Sequence, residues 1–151
     1  MAKTISKDTP LSEITLRRYE KPYSGSKREA IRKFCLSLGL LQPGDSRDVI
    51  VDILSVMLNA KKSKKLLSSE EIKENAIKLR KQSKLPLKGI ASSNVRRQIK
   101  RLRDIFILEK IKNDYRITDF DTLENIFEKK IKSFHLDNIL ERVKEYSQVL
   151  K

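Results

Sequence analysis

Tryptophan is absent, cysteine and histidine occur once each, and glycine and proline number four apiece among 151 residues. Each scarcity excludes something. A lone Cys35 can form no disulfide within the chain and has no companion at zinc-ligand spacing, so a reducing, cytoplasmic setting is expected. No second histidine or cysteine can complete a metal site with His135. Without a glycine-rich loop there is nothing to cradle a nucleotide phosphate. The longest strongly apolar stretch, Val49 to Leu58, contains Asp52 and is too short to cross a bilayer. The opening MAKTISKDTP lacks the apolar centre of a secretory signal. Most carboxylates fall at helix starts, where capping accounts for them. Neither catalysis, nor a cofactor, nor a metal, nor a membrane partner is expected.

Acidic residues are also scarce in one place. The chain has 34 Lys+Arg against 20 Asp+Glu, a net charge of +14. Residues 78–116 hold 13 basic and 3 acidic side chains, net +10, while residues 117–151 are net −1. A solvated lysine-rich surface would intersperse its acids. Their absence from the middle segment suggests a polyanionic partner.

Four stretches can be marked out. Residues 1–25 are expected to form an arm, flexible or docked, with 12–23 extended up to Pro22. Residues 26–45 hold a helix over 27–38 and a turn. Ser26 and Glu29 form a capping-box pair, Ala30, Ile31, Phe34, Cys35 and Leu38 make the apolar stripe, and Gly39 is placed to end the helix left-handed. The core helix is predicted over 46–61, capped by Asp45 or Ser46, with Ile50, Ile53, Leu54, Met57 and Leu58 inward. Lys61, Lys62, Lys64 and Lys65 at its carboxyl end suit the helix dipole as well as they suit phosphate. A strand stub at Leu66-Leu67 precedes a helix from the Ser68/Glu71 capping box to Gln82, with Ile72, Ala76 and Leu79 on one face. Pro86 and Gly89 then break the pattern. The next helix runs from Ser92 or Ser93 to Asp104. Beyond it, two β-type runs flank Asn113-Asp114 and read as a hairpin ending at Thr118. Residues 119–151 are helical, begun by an Asp121/Glu124 capping box, with Leu123, Ile126, Phe127, Ile131 and Phe134 on one stripe. His135 is expected at a helix junction.

Core helix, strand stub, helix, turn, helix and hairpin follow one another as in a winged helix-turn-helix. The stretch SSNVRRQIKRLRDIFILEKIKNDYRIT, from Ser92 to Thr118, resembles that family, especially its archaeal and bacterial transcription regulators. The resemblance covers about 46–118 and implies a mainly α fold with a small β-hairpin, extended by an amino-terminal helix and carboxyl-terminal helices. It departs from the simplest pattern by placing nine residues between the two helices, where three or four are usual.

A helical wheel supports the same reading without the family. With Val95 at 0° and roughly 100° per residue, Ile99 and Leu102 share its side, while Ser93, Asn94, Arg97, Lys100 and Arg101 point away and Arg96 and Arg103 lie on a flank. Arg and Asn suit guanine and adenine edges, and Lys suits phosphate. Ser93, Asn94 and Arg97, near the amino-terminal end, are the candidates for base contact. Lys110, Lys112 and Arg116 on the hairpin are candidate phosphate contacts. Arg17, Arg18 and Lys21 form a smaller cluster in the arm, where a minor-groove role competes with docking by Tyr19 and Tyr23. Leu136, Ile139, Val143, Tyr146 and Leu150 repeat at spacings of 3, 4, 3 and 4, a two-heptad seam for a homodimer or for packing on the domain. Double-stranded DNA is the expected partner, in transcription regulation or chromosome-associated binding. An RNA-binding module and a protein-binding subunit of a larger assembly are the alternatives.

Overall fold

The computed structural model describes residues 7–23 and 25–151. The parts of the expected arm at 1–6 and at Ser24 lie outside the described residues. The chain is mainly helical with a small three-stranded antiparallel sheet. Its elements run α1 (Lys27–Ser37), α2 (Val49–Lys62), β1 (Leu67–Ser68), α3 (Ser69–Gln82), α4 (Ser92–Asp104), β2 (Leu108–Ile111) and β3 (Asp114–Ile117). A short turn of 3-10 helix, Thr118–Phe120, leads to α5 (Leu123–Ile126), a wide helical segment Phe127–Leu136, and α6 (Asp137–Val149).

Helix α2 is the centre. Val49, Ile50, Val51, Ile53, Leu54, Val56 and Met57 are all buried, and α1, α3, α4 and β3 pack around it. An apolar helix so enclosed cannot carry charge without partners, yet Asp52 is 2% exposed and Arg80 of α3 only 1%. They solve each other's burial. Arg80 Nη1 donates to Asp52 Oδ2 at 2.7 Å and to Asp48 Oδ1 at 2.9 Å, and its Nε donates to the Pro86 carbonyl at 2.7 Å. Arg28 of α1 completes the set, donating to Asp52 Oδ1 at 2.6 Å and Asp48 Oδ2 at 2.9 Å, while Arg32 reaches Asp48 at 3.1 Å. Burial pushes the Asp52 carboxyl up, against the pull of the two guanidiniums beside it.

This cluster explains why α2 starts at Val49 and not at residue 46. Asp48 stands at the cap position but makes no side-chain capping bond, because its carboxylate is occupied by three arginines. The other starts follow ordinary capping chemistry. Ser26 accepts from the Glu29 amide, and Ser68 with Glu71 forms a complete capping box. At α5, Thr122 is the cap in place of the expected Asp121, which instead accepts from the Thr122 amide and the Asn125 side chain.

Four helices end the same way, on a left-handed residue whose successor donates back to a carbonyl five residues earlier. Gly39 (φ 70°) does this for α1, through the Leu40 amide and the Cys35 carbonyl at 2.9 Å. A Cβ there would come within 2.6 Å of Thr15 Cβ, so the arm also needs the glycine. Lys64, Lys84 and Phe106 serve α2, α3 and α4 with φ of 51°, 55° and 68°. The turn at Phe106 shortens the first hairpin strand, which starts only at Leu108. The sheet order is β1-β3-β2, with Leu67 opposite Tyr115 and Ile111 opposite Asp114. The hairpin tip is therefore Lys112-Asn113, one residue earlier than the expected Asn113-Asp114.

The carboxyl-terminal residues form one continuous helical rod, about 40 Å long at 1.5 Å per residue. Its wide segment bonds five residues back, as the Asp137 amide does to the Lys132 carbonyl. Ile126 and Ile131 are buried, and Phe134 meets Phe106 edge-on at 5.7 Å. His135 Nε2 lies 3.0 Å from the Glu13 carbonyl, at the junction where the rod leaves the domain. No residue of α6 is buried.

Replacing Asp52 by Ala leaves Arg80 buried with only half its carboxylate partners. Unfolding in urea is expected to show a loss of about 3–5 kcal/mol. A loss below about 1 kcal/mol would mean that the cluster does not hold α2 and α3 together.

Candidate nucleic-acid interface

Helix α4 sorts its side chains as the wheel predicts. Val95, Ile99 and Leu102 are buried to 1% or less, whereas Ser93, Arg96, Arg97, Lys100 and Arg103 are exposed. Its cap is Ala91, with no side-chain capping bond. Ser92, the first residue of the helix, faces α3: its hydroxyl donates to Glu70 at 3.2 Å and accepts from Lys73 at 3.0 Å.

The two flanks of the helix differ. One is a ladder of polar side chains at helical spacing. Asn94 Nδ2 donates to the Gly89 carbonyl at 2.7 Å, and Asn94 Oδ1 accepts from Arg97 Nη2 at 2.7 Å and from Gln98 Nε2 at 3.2 Å. Gln98 Oε1 accepts from Arg101 Nη1 at 2.8 Å, and Arg101 Nη2 closes the ladder on the Gly39 carbonyl at 3.2 Å. Asn94 and Arg101, both expected at the nucleic acid, are thus employed in tying α4 to the turns at Gly89 and Gly39. The other flank borders the hairpin. Lys100 pairs loosely with Asp104 at 3.2 Å, in an exposed i,i+4 bridge. Arg103 and Lys110 each stand 5.9 Å from the centre of the Tyr115 ring.

On the hairpin, Lys110 and Lys112 are exposed, Lys112 at the very tip. Arg116 is not available in the same way. It lies opposite Glu109, bonds that carboxylate at 2.7 Å, approaches Asp119 at 3.8 Å and covers the Phe120 ring at 4.8 Å. Partial burial would raise the Glu109 carboxyl, but the Asp119 amide and the Arg116 guanidinium outweigh it and hold it below its ordinary value. Arg116 is a hairpin brace.

Comparison with protein-family models, with curated proteins and with solved structures finds no match.

In the arm, Arg17 is a structural clamp. Its guanidinium donates to the Leu36 carbonyl at 2.9 Å, the Leu41 carbonyl at 3.3 Å and Gln42 Oε1 at 2.7 Å. Arg18 and Lys21 are exposed, but on a stretch that runs back along α1, from Arg17 at Ser37 to Glu20 at Lys33. The structure does not bring them together with α4. Near α4 the arm offers Glu13, Ile14 and Thr15, beside Arg101 and Asp104. Cys35 is buried, and burial pushes its thiol up to about 12. Among the described residues no group of histidine, cysteine and carboxylate side chains could hold a metal ion, and no helix is long and apolar enough to cross a membrane.

One cation beside α4 escaped the sequence reading. Arg47, exposed in the turn before α2, lines the cleft between that turn and the Asn94–Arg101 ladder. Its neighbours Asp45 and Asp48 made the turn look balanced, and no helical period marks it.

The ladder implies that two arginines of the same helix, Arg96 and Arg101, behave differently when removed. Arg101→Ala breaks two described hydrogen bonds and is expected to lower stability by about 1 kcal/mol, whereas Arg96→Ala should stay within about 0.5 kcal/mol of the parent. Equal thermal shifts for the two variants would contradict the tethering role of Arg101.

Proposed function

We propose that the chain binds duplex DNA through α4 and the β2–β3 hairpin, as a transcription regulator or chromosome-associated protein with no chemistry of its own. The observation that carries this is the outward face of α4. Arg96, Arg97, Lys100 and Arg103 stand in solvent over a buried Val95–Ile99–Leu102 seam. The helix has the exposed cations Lys110 and Lys112 on one side and Arg47 on the other. A cationic ridge between two cationic shoulders suits a helix in a major groove whose flanking backbones meet the shoulders. The order α2, β1, α3, α4, β2, β3, with β1 joining the hairpin into one sheet, supports the winged helix-turn-helix architecture. Arginine at positions 96 and 97 and Ser93 are the groove-facing candidates, and Lys100, Arg103, Lys110 and Lys112 the phosphate-facing ones. Tyr115 is buried and Phe106 partly so, so neither offers the stacking surface that unpaired RNA bases use.

The same reading includes a second copy of the chain, paired through α6. Val143, Tyr146 and Leu150 are between 59% and 81% exposed, and with Leu136 and Ile139 they keep heptad spacing along one stripe, with Leu140 exposed at its edge. Residues 137–151 carry three basic and three acidic side chains. That neutral helix is where two strongly positive chains meet with least repulsion. Two heptads make a weak dimer, reinforced when both copies hold one duplex.

Fluorescence anisotropy with short duplexes tests the first part. Binding should weaken steeply with salt, and Arg96→Ala/Arg97→Ala/Lys100→Ala should lower affinity by about two orders of magnitude, while Arg116→Ala leaves it near the parent value. Failure of the unmodified chain to bind duplex at low salt would sink the proposal. Sedimentation tests the second part: the full chain should self-associate at high micromolar concentration, and Val143→Glu/Tyr146→Glu should abolish this. A chain that stays monomeric throughout would remove the dimer.

A further inference from the structure

We infer that the cleft between the α1–α2 turn and α4 is a subsite for one phosphodiester of the bound duplex, walled by Arg47, Arg97 and Arg101. This rests on the DNA-binding reading and adds to it a position outside the helix and hairpin. The cleft encloses about 240 Å³. That is below the roughly 300–1,000 Å³ of typical small-molecule pockets, yet several times the roughly 30 Å³ share of a water molecule, a size suited to a phosphate group.

The arginines divide by whether their charge is answered inside the protein. Arg28, Arg32 and Arg80 face Asp48 and Asp52, and Arg116 faces Glu109 and Asp119. Arg97 and Arg101 are tethered too, Arg97 by one exposed bond and Arg101 by two, but to neutral acceptors: the Asn94 amide oxygen, the Gln98 amide oxygen and the Gly39 carbonyl. They are oriented toward the cleft while their charge remains available. Among the described residues no ion pair engages Arg47, Arg97 or Arg101. Oriented guanidiniums without a carboxylate partner are what a phosphate oxygen pair recognises. Held in place beforehand, they lose little side-chain freedom when the anion arrives. One acid, Asp45, also lines the cleft. It opposes an anion and supplies a test of the opposite sign.

The experiment is anisotropy of the full chain with a labelled duplex across a salt series. Arg47 is exposed and makes no described hydrogen bond, so Arg47→Ala is expected to melt like the parent. Its affinity should fall severalfold on every duplex sequence, with the slope of log K against log[salt] reduced by about one. Asp45→Asn should bind more tightly than the parent. Lys144→Ala, which removes one positive charge from α6, should leave the slope unchanged. If the parent binds duplex but Arg47→Ala keeps the full slope, or Lys144→Ala loses as much, the subsite is overturned and the DNA-binding reading stands. If the parent binds no duplex, both fall together.

Discussion

The structure depends on one arginine placed where arginine should not be. Arg80 is sealed from solvent, and a guanidinium in that position is tolerable only with its donors filled. Asp52 of α2 and Asp48 at its cap fill them, with Pro86 from the α3–α4 turn, and Arg28 and Arg32 of α1 neutralise what the two carboxylates have left over. Four separate pieces of chain are thereby obliged to meet at one point. Hydrophobic burial would hold α1, α2 and α3 together in several slightly different ways. The ionic cluster selects one, because its bonds are directional and incomplete sets are costly. The turn that Arg80 grips leads directly into α4, so the direction in which the basic helix faces is set, at one remove, by a charge pair in the core.

Much of this was legible in the sequence. The apolar stripes placed α1, α3 and α4 to within a residue, the Ser68/Glu71 box marked the start of α3, and Gly39 marked the end of α1. The outward face of α4 was readable because 3.6-residue periodicity puts Val95, Ile99 and Leu102 on the opposite side. What could not be read was which charges are answered. Asp48 and Arg80 are 32 residues apart, and nothing local joins them. Nothing in the charge pattern separates Arg116, which answers a carboxylate, or Arg17, which clamps two carbonyls, from an arginine that faces solvent. For Arg116 a signal did exist: a two-residue tip at Lys112-Asn113 puts it directly opposite Glu109. Shifting the tip by one residue hides that pairing, since a one-residue slip changes every cross-strand neighbour.

The surface excess of charge is correspondingly smaller and better placed than the composition suggests. Of the 13 basic residues between 78 and 116, Arg80 serves the core and Arg116 the hairpin. The remainder includes the cations of α4 itself and, on its hairpin side, Lys110 and Lys112, while Arg47 on the other side lies outside that segment. The rod beyond Phe134 keeps an apolar stripe in a nearly neutral helix, so positive charge and exposed apolar surface are separated along the chain.

Lysine occupies a left-handed conformation at Lys64, Lys84 and Lys112, all exposed. An L-residue there gives up about 1–2 kcal/mol relative to regions it prefers, and glycine would not. The chain places its few glycines elsewhere and keeps a positive charge at each of these corners. Its topology therefore admits a more stable molecule than its sequence builds, and part of the difference resides at these exposed cationic bends, as backbone strain.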